Sequence, residues 1–349
     1  MRILFLHPNT PDYLSAGLFH GLRSLLGKDC IDLPRFDCMY SPMQEAITKK
    51  IRGKGFSLYG LLPDVVDLAA ERFFIWETTI QNFDWYIIAD IWRQWSDVEQ
   101  LLTLVDPRKI ILIDPADSPR IFPWNNLSAF GSFPEKLKQA RTIKRLKYFK
   151  REWKGSSAAT DALRMIPLSA RQKLLPKQIF PISFSFPAEK IIAPLAVKKT
   201  KLFAAHIVDK EVADKVSGSL YNPMGEQQYL FETEEAYFKD IQNSQFGITT
   251  KRSGWDCLRH YELAANTAVL CFKNLDRKEP TCAPHGLHKG NCIIYHDYED
   301  LMEQIHRLDN NTYNDLQLQS YQWIQAHSSS NIAKNFLYTL NGSSHDTSS

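Results

Sequence analysis

A chain of 349 residues is longer than one hydrophobic core usually organises, so two domains are expected. With 44% hydrophobic and 23% charged residues it has the composition of a packed globular protein, and a net charge of +3 excludes any bulk electrostatic demand for nucleic acid or an anionic membrane. The opening "MRILFLHPNT" turns polar after six residues, and nowhere do about 18 uncharged apolar residues run together. The expected location is therefore the cytoplasm, with the six scattered cysteines reduced.

In chain order, "RILFLHPN" reads as a buried strand ending in a polar loop, and "SAGLFHGLRSLLG" as an amphipathic helix stopped by Gly27. "FDWYIIADIW" and "RKIILIDPADSP" are apolar strands with acidic ends, separated by helical spacing over Asp97–Val105. Continuous apolar runs alternating with helices predict a parallel sheet covered on both faces. Residues 136–154 carry nine Lys or Arg against one Glu, and the proline-rich "PISFSFPAEKIIAPLAVKK" after them reads as a crossing between domains. A second strand series follows in "TKLFAAHI", "QFGITT", "TAVLCF" and "NCIIYHDYEDLMEQIHRL", the last running into a helix. The expected organisation is two α/β domains, 1–182 and 183–340, with a flexible polar tail over 341–349.

Between the strands "QFGITT" and "TAVLCF" lies "TKRSGWDCLRHYELAAN", a basic loop feeding a helix expected to begin near Trp255. A helix N-terminus presents unpaired amide N–H groups and a partial positive charge. With Lys251, Arg252, Ser253 and Gly254 around it, such an end suits a phosphate. The competing reading makes Ser253 a plain N-cap, with Asp256 three residues on completing an approximate capping box. Along the helix Trp255, Arg259, Glu262 and Asn266 share one face, and Leu258, Tyr261, Ala264 and Ala265 another. A carboxylate at Glu262 is placed to accept both hydroxyls of a ribose diol, or else it forms an ordinary i,i+3 surface pair with Arg259.

The segment "GWDCLRHYELAANTAVLCF", a helix carrying a Glu and small residues and then an apolar strand, resembles the nucleotide-sugar-binding element of GT-B glycosyltransferases. Bacterial surface-polysaccharide and spore-coat-type enzymes, and phage DNA β-glucosyltransferases, share it. The resemblance implies two Rossmann-like domains facing across a cleft, with the donor on the C-terminal one. It gives Glu262 the ribose and turns the loop Lys251–Gly254 toward the diphosphate. Many retaining members carry a second Glu eight positions before the ribose glutamate; here that position is Gly254, which favours inversion.

Inversion requires a general base for the acceptor hydroxyl, expected at strand ends of the N-terminal domain. Asp114 and Asp117 in "IILIDPADSP", Asp90 in "IIADIW", and His7 and Asp12 in "LHPNTPDY" occupy such ends. The resemblance to the phage enzymes, whose base is an Asp just after such a strand, favours Asp114 or Asp117. Before proline or Ser-Pro, acidic residues also serve simply as turn formers and caps. In "PTCAPHGLHKGNC", Cys282, His285, His288 and Cys292 lie in one loop rather than in the paired knuckles of structural zinc, so no metal is expected there. His285, Gly286 and His288 are instead assigned to a donor-binding loop, as is His206 after "KLFAA", against plain structural roles for both.

Within 136–154, Lys147, Lys150, Arg151 and Lys154 alternate with Tyr148, Phe149 and Trp153. A helix there would lie on an anionic membrane at its inner face, follow DNA phosphates, or simply be solvated over a buried aromatic face. The function expected is metal-independent transfer of a sugar from a nucleoside diphosphate sugar, with no other cofactor, to a glycan or lipid-linked glycan acceptor. A DNA-modifying glucosyltransferase and a noncatalytic nucleotide- or sugar-binding protein are the alternatives.

Overall fold

A computed structural model of the chain describes residues 1–48, 51–65, 67–124, 131–194, 197–221 and 231–342. The residues fall into two compact units. One comprises Met1–Met43, Gly60–Ser183 and Glu279–Ala283; the other comprises Gln44–Tyr59, Phe184–Lys278 and Pro284–Ser349. Besides the passage at Ser183, the short segments 44–59 and 279–283 therefore belong to the unit opposite their sequence neighbours.

The first unit is built on six parallel strands: β1 (Ile3–Leu6), β2 (Cys30–Leu33), β3 (Trp85–Ile88), β4 (Ile110–Asp114), β5 (Lys147–Lys150) and β6 (Ile179–Pro181). Their spatial order is β2-β1-β3-β4-β5-β6, with Leu6 paired to Leu33 on one side and Ile88 on the other. The order reverses at β1, so the carboxyl ends of β1 and β3 flank the switch point where ligands of parallel sheets gather. Helix α1 (Tyr13–Leu26) starts on the Asp12 cap, whose side chain accepts from the Ser15 backbone N–H, and ends at Gly27 with φ of 56°. That positive φ is why glycine suits the stop. Helix α2 (Trp95–Leu104) joins β3 to β4. Ile88, Leu112, Val98, Leu101 and Tyr148 meet in one core with Phe122 and Trp124.

The basic run does not form the single helix that its spacing allows. Helix α3 (Phe133–Ile143), capped by Ser132 and Glu135, takes its first half, and β5 takes Lys147–Lys150. Tyr148 and Phe149 are buried on opposite faces of that strand, which is the two-residue period of a sheet.

In the second unit β7 (Lys201–Phe203), β8 (Ser244–Thr250), β9 (Val269–Lys273) and β10 (Cys292–Tyr295) form a parallel sheet in the order β10-β9-β8-β7. Helix α4 (Glu234–Gln242) precedes β8, and α5 (Leu258–Ala265) crosses from β8 to β9. Helices α6 (Tyr298–His306), α7 (Asn310–Ala326) and α8 (Ser329–Leu340) follow β10. Gly247 on β8 fixes how α5 lies, because a Cβ there would stand 2.4 Å from a Leu263 methyl. Helix α5 begins at Leu258, three residues later than the sequence pattern predicts, with Cys257 extended at φ −146° and ψ 135°. Asp256 accounts for the delay: one carboxylate oxygen accepts from the Phe184 N–H and the other from the Tyr261 hydroxyl, at 2.9 and 2.8 Å. Ser253 is thus an exposed turn residue and not the N-cap. Of the tail 341–349, residues 343–349 lie outside the described residues.

Candidate functional site

The start of α5 gathers cations around a buried histidine. Arg259, on the first turn, reaches 2.9 Å from His206 Nε2 with a guanidinium nitrogen, so that nitrogen accepts and the ring is neutral. Burial, then the nearby Arg259 and Arg252, lowers the His206 pKa to about 2. Its Nδ1 is also buried, with no hydrogen-bond partner among the described residues. Arg252 is half-buried, and burial lowers its pKa. Among the described residues no carboxylate pairs with it. Lys251 is exposed and lies 5.6 Å from the Trp255 ring centroid, and Gly254 is buried, its carbonyl accepting from the Arg252 N–H. Two guanidinium groups and a helix N-terminus, on a neutral imidazole, make a surface that favours an anion.

Glu262 follows one turn further along α5 and is 3% exposed. It is no surface partner of Arg259. Its two oxygens accept from the Ser57 hydroxyl at 2.5 Å and the Tyr237 hydroxyl at 2.7 Å. Burial raises its pKa, against the pull of these two donors and of Arg259. Ser57 comes from the transferred segment 44–59 and sits at φ of 71°. Its N–H donates to Glu234 at 2.5 Å; Glu234 also pairs with Lys190 at 2.6 Å, and Lys54 pairs with Glu232 at 2.9 Å. Neither Ser57 nor Tyr237 was among the residues that the sequence pointed to. Ser57 lies 205 residues from Glu262, and no local pattern carries that pairing.

His285, Gly286 and His288 form a separate loop. The Trp323 indole N–H donates to the His285 carbonyl at 2.8 Å, and the Trp323 ring packs 5.1 Å from Tyr261 of α5. His288 is exposed and Gly286 adopts φ of 73°. Cys292 donates weakly to the His288 carbonyl, and Cys282 belongs to the other unit, where it donates to the Trp153 carbonyl. Among the described residues no group of three His, Cys, Asp or Glu side chains is arranged to hold a metal ion.

In the first unit the acidic candidates separate by environment. Asp114 is fully buried and accepts from the Trp92 indole (2.8 Å), Lys150 (3.0 Å), the Ala116 N–H (3.1 Å) and the Tyr148 hydroxyl (2.5 Å). Four donors and no exposure describe a structural carboxylate. Asp117 is half exposed and ion-paired with Arg151, and Asp12 is spent on capping α1. His7 lies between two backbone groups: Nε2 is 2.6 Å from the Pro34 carbonyl, and Nδ1 accepts from the Asn9 N–H. Burial lowers its pKa to about 4. Asp90 differs from all of these. It follows β3 at the switch point, 4% exposed, accepting from the Trp92 N–H at 2.9 Å with Arg93 at 3.3 Å. Burial raises its pKa to about 6, with Asp12 and Asp114 adding in the same direction.

Two of the nine cations of the basic run serve this region. Lys150 and Arg151 are buried and bind Asp114 and Asp117, so the surface helix expected for membrane or DNA contact over 136–154 is not formed. The physical reason is pairing, since the buried Asp114 at the end of β4 needs a counter-charge from the neighbouring strand.

No protein-family model and no curated protein matches the chain. Solved structures do. Trehalose-6-phosphate synthase OtsA aligns with a TM-score of 0.54 at 10% identity, covering 99% of this chain and 100% of that one. HepE of Anabaena in complex with UDP and glucose aligns at 0.51 and 10% identity, over 98% and 100%. Sucrose-phosphate synthase of Thermosynechococcus elongatus aligns at 0.51 and 9% identity, over 98% of each chain. The fold is therefore that of GT-B glycosyltransferases over nearly the whole chain.

Proposed function

We propose that the chain is a glycosyltransferase that moves a sugar from a nucleoside diphosphate sugar to a glycan or lipid-linked glycan acceptor. The observation that carries this reading is the Arg259–His206–Arg252 cluster one turn from the buried Glu262. A diphosphate suits the cations, and a ribose diol suits a carboxylate that already accepts two hydroxyls. HepE, which aligns with this chain, is in complex with UDP and glucose, ligands of this class, and that supports the reading.

Charge developing on the leaving diphosphate is stabilised by Arg252, Arg259, Lys251 and the first N–H groups of α5, which requires no metal. Asp90 is the base of choice in this reading. A carboxylate with a pKa of about 6 is ionised at neutral pH yet more basic than an ordinary one. Gly254, standing where a second glutamate serves retaining enzymes, is consistent with inversion.

Calorimetric titration with nucleoside diphosphates tests the donor site. One nucleotide family is expected to bind the wild type, and Arg259→Gln to weaken that binding roughly tenfold, the loss of one charge-assisted contact. No binding by any nucleotide overturns the proposal. Binding without sugar turnover on any acceptor favours a noncatalytic binding protein.

A further inference from the structure

Segment 44–59 places a strained residue against Glu262. Ser57 is fully buried at φ of 71°, a conformation that L side chains rarely adopt, and Lys54 at 53° and Gly55 at 75° precede it. Such backbone persists only where surrounding contacts hold it. For Ser57 those contacts are two carboxylates: its hydroxyl donates to Glu262 and its N–H to Glu234, the first residue of α4, both at 2.5 Å. The Phe56 ring lies 6.3 Å from the Tyr237 ring, at 25° to it. Lys54 donates to the Phe231 carbonyl at 3.1 Å and pairs with Glu232 at 2.9 Å. That ion pair is a weak anchor, because the Glu232 side chain is 94% exposed. The buried end of the stretch is thus held by the same carboxylate that the transfer reading gives to the ribose.

We propose that residues 54–57 are a strap that occupies the ribose position on Glu262 in the free protein and lifts away when a nucleotide arrives. The proposal rests on the reading of Glu262 as the ribose ligand. In the exchange Glu262 keeps the Tyr237 hydroxyl on one oxygen, and a ribose hydroxyl replaces that of Ser57 on the other. Ser57 then loses one of the two contacts that hold its left-handed backbone, and the strained stretch relaxes. Leu58, fully buried, marks the end of the moving piece. A seated strap lowers the apparent nucleotide affinity by the fraction of molecules in which it is open, so the device sets a concentration threshold for the donor.

Hydrogen–deuterium exchange of the full chain, read by mass spectrometry, tests this with whichever of UDP, GDP, ADP and CDP binds by calorimetry. With that nucleotide bound, the peptide over 54–58 should exchange roughly tenfold faster, because the Ser57 N–H leaves Glu234, while the peptide over 258–265 slows. Lys54→Glu sets a carboxylate against Glu232 and loosens the strap without touching the ligand. It should raise nucleotide affinity by about three- to tenfold, with the thermal unfolding midpoint held because the pair is exposed. Binding without faster exchange over 54–58, or with no gain in affinity in Lys54→Glu, overturns the strap and leaves the donor reading standing. No binding by any of the four nucleotides overturns both.

Discussion

Ser57→Ala is the most informative single perturbation, because it separates the structural use of Glu262 from its use by a ligand. The Ser57 hydroxyl lies 2.5 Å from a carboxylate oxygen, and both groups are buried. A charge-assisted bond of this geometry contributes about 1.5–3 kcal/mol net. Removing the hydroxyl should lower unfolding stability by that amount, read from urea denaturation. A ribose diol binding to Glu262 must first break the same bond. In the alanine variant that cost is gone, so nucleotide affinity should rise by roughly 10- to 100-fold at 1.4 kcal/mol per decade. Ser57→Gly supplies the control. It deletes the hydroxyl and also relieves a side chain held at φ of 71°, recovering about 1 kcal/mol of stability while giving the same affinity gain. Affinity that stays level or falls in both variants, alongside the expected stability loss, refutes Glu262 as the ribose ligand.

Asp90→Asn should reduce turnover by about 10²- to 10⁴-fold, and the acidic limb expected near pH 6 in the wild-type kcat/KM profile should vanish. The same change should stabilise the fold. With a folded pKa of about 6, above the ordinary carboxylate value, Asp90 contributes stability below pH ~4 that is lost as pH rises through 6. At pH 7 asparagine should therefore gain about 1–3 kcal/mol in urea denaturation. Asp114→Asn should do the opposite. It leaves Lys150 buried beside a neutral amide, costing about 3–5 kcal/mol. Calorimetric titration should find its nucleotide affinity unchanged where it folds, and a variant that is inactive yet fully stable would return Asp114 to the role of base.

Much of the fold was legible because its strands are continuous apolar runs. "FDWYIIADIW", "QFGITT" and "TAVLCF" could be read as buried parallel strands without knowing their neighbours. Where the pattern misled, a long-range bond had overridden a local one. Asp256 looked like a capping-box partner for Ser253, but Phe184 and Tyr261 claim it and α5 starts later. The cations of 147–151 looked like a surface stripe, yet Asp114 and Asp117, more than thirty residues earlier, draw them inward. Segments 44–59 and 279–283 gave no compositional sign of belonging to the opposite unit.

At the candidate donor site the sequence indicated Glu262 but not what holds it. A glutamate that is 3% exposed survives only if both oxygens are satisfied. Here the donors are two hydroxyls, one from Ser57 and one from Tyr237, bound to separate oxygens. A ribose offers the same pair of groups in the same protonation state. A carboxylate serving structure alone would be as well met by amide donors, or replaced by a neutral side chain at lower desolvation cost. A carboxylate held by two hydroxyls is already desolvated, and under the proposed reading a nucleotide would exchange one hydroxyl for another and chiefly displace Ser57. That is the reason affinity, more than stability, discriminates between the two roles of Glu262.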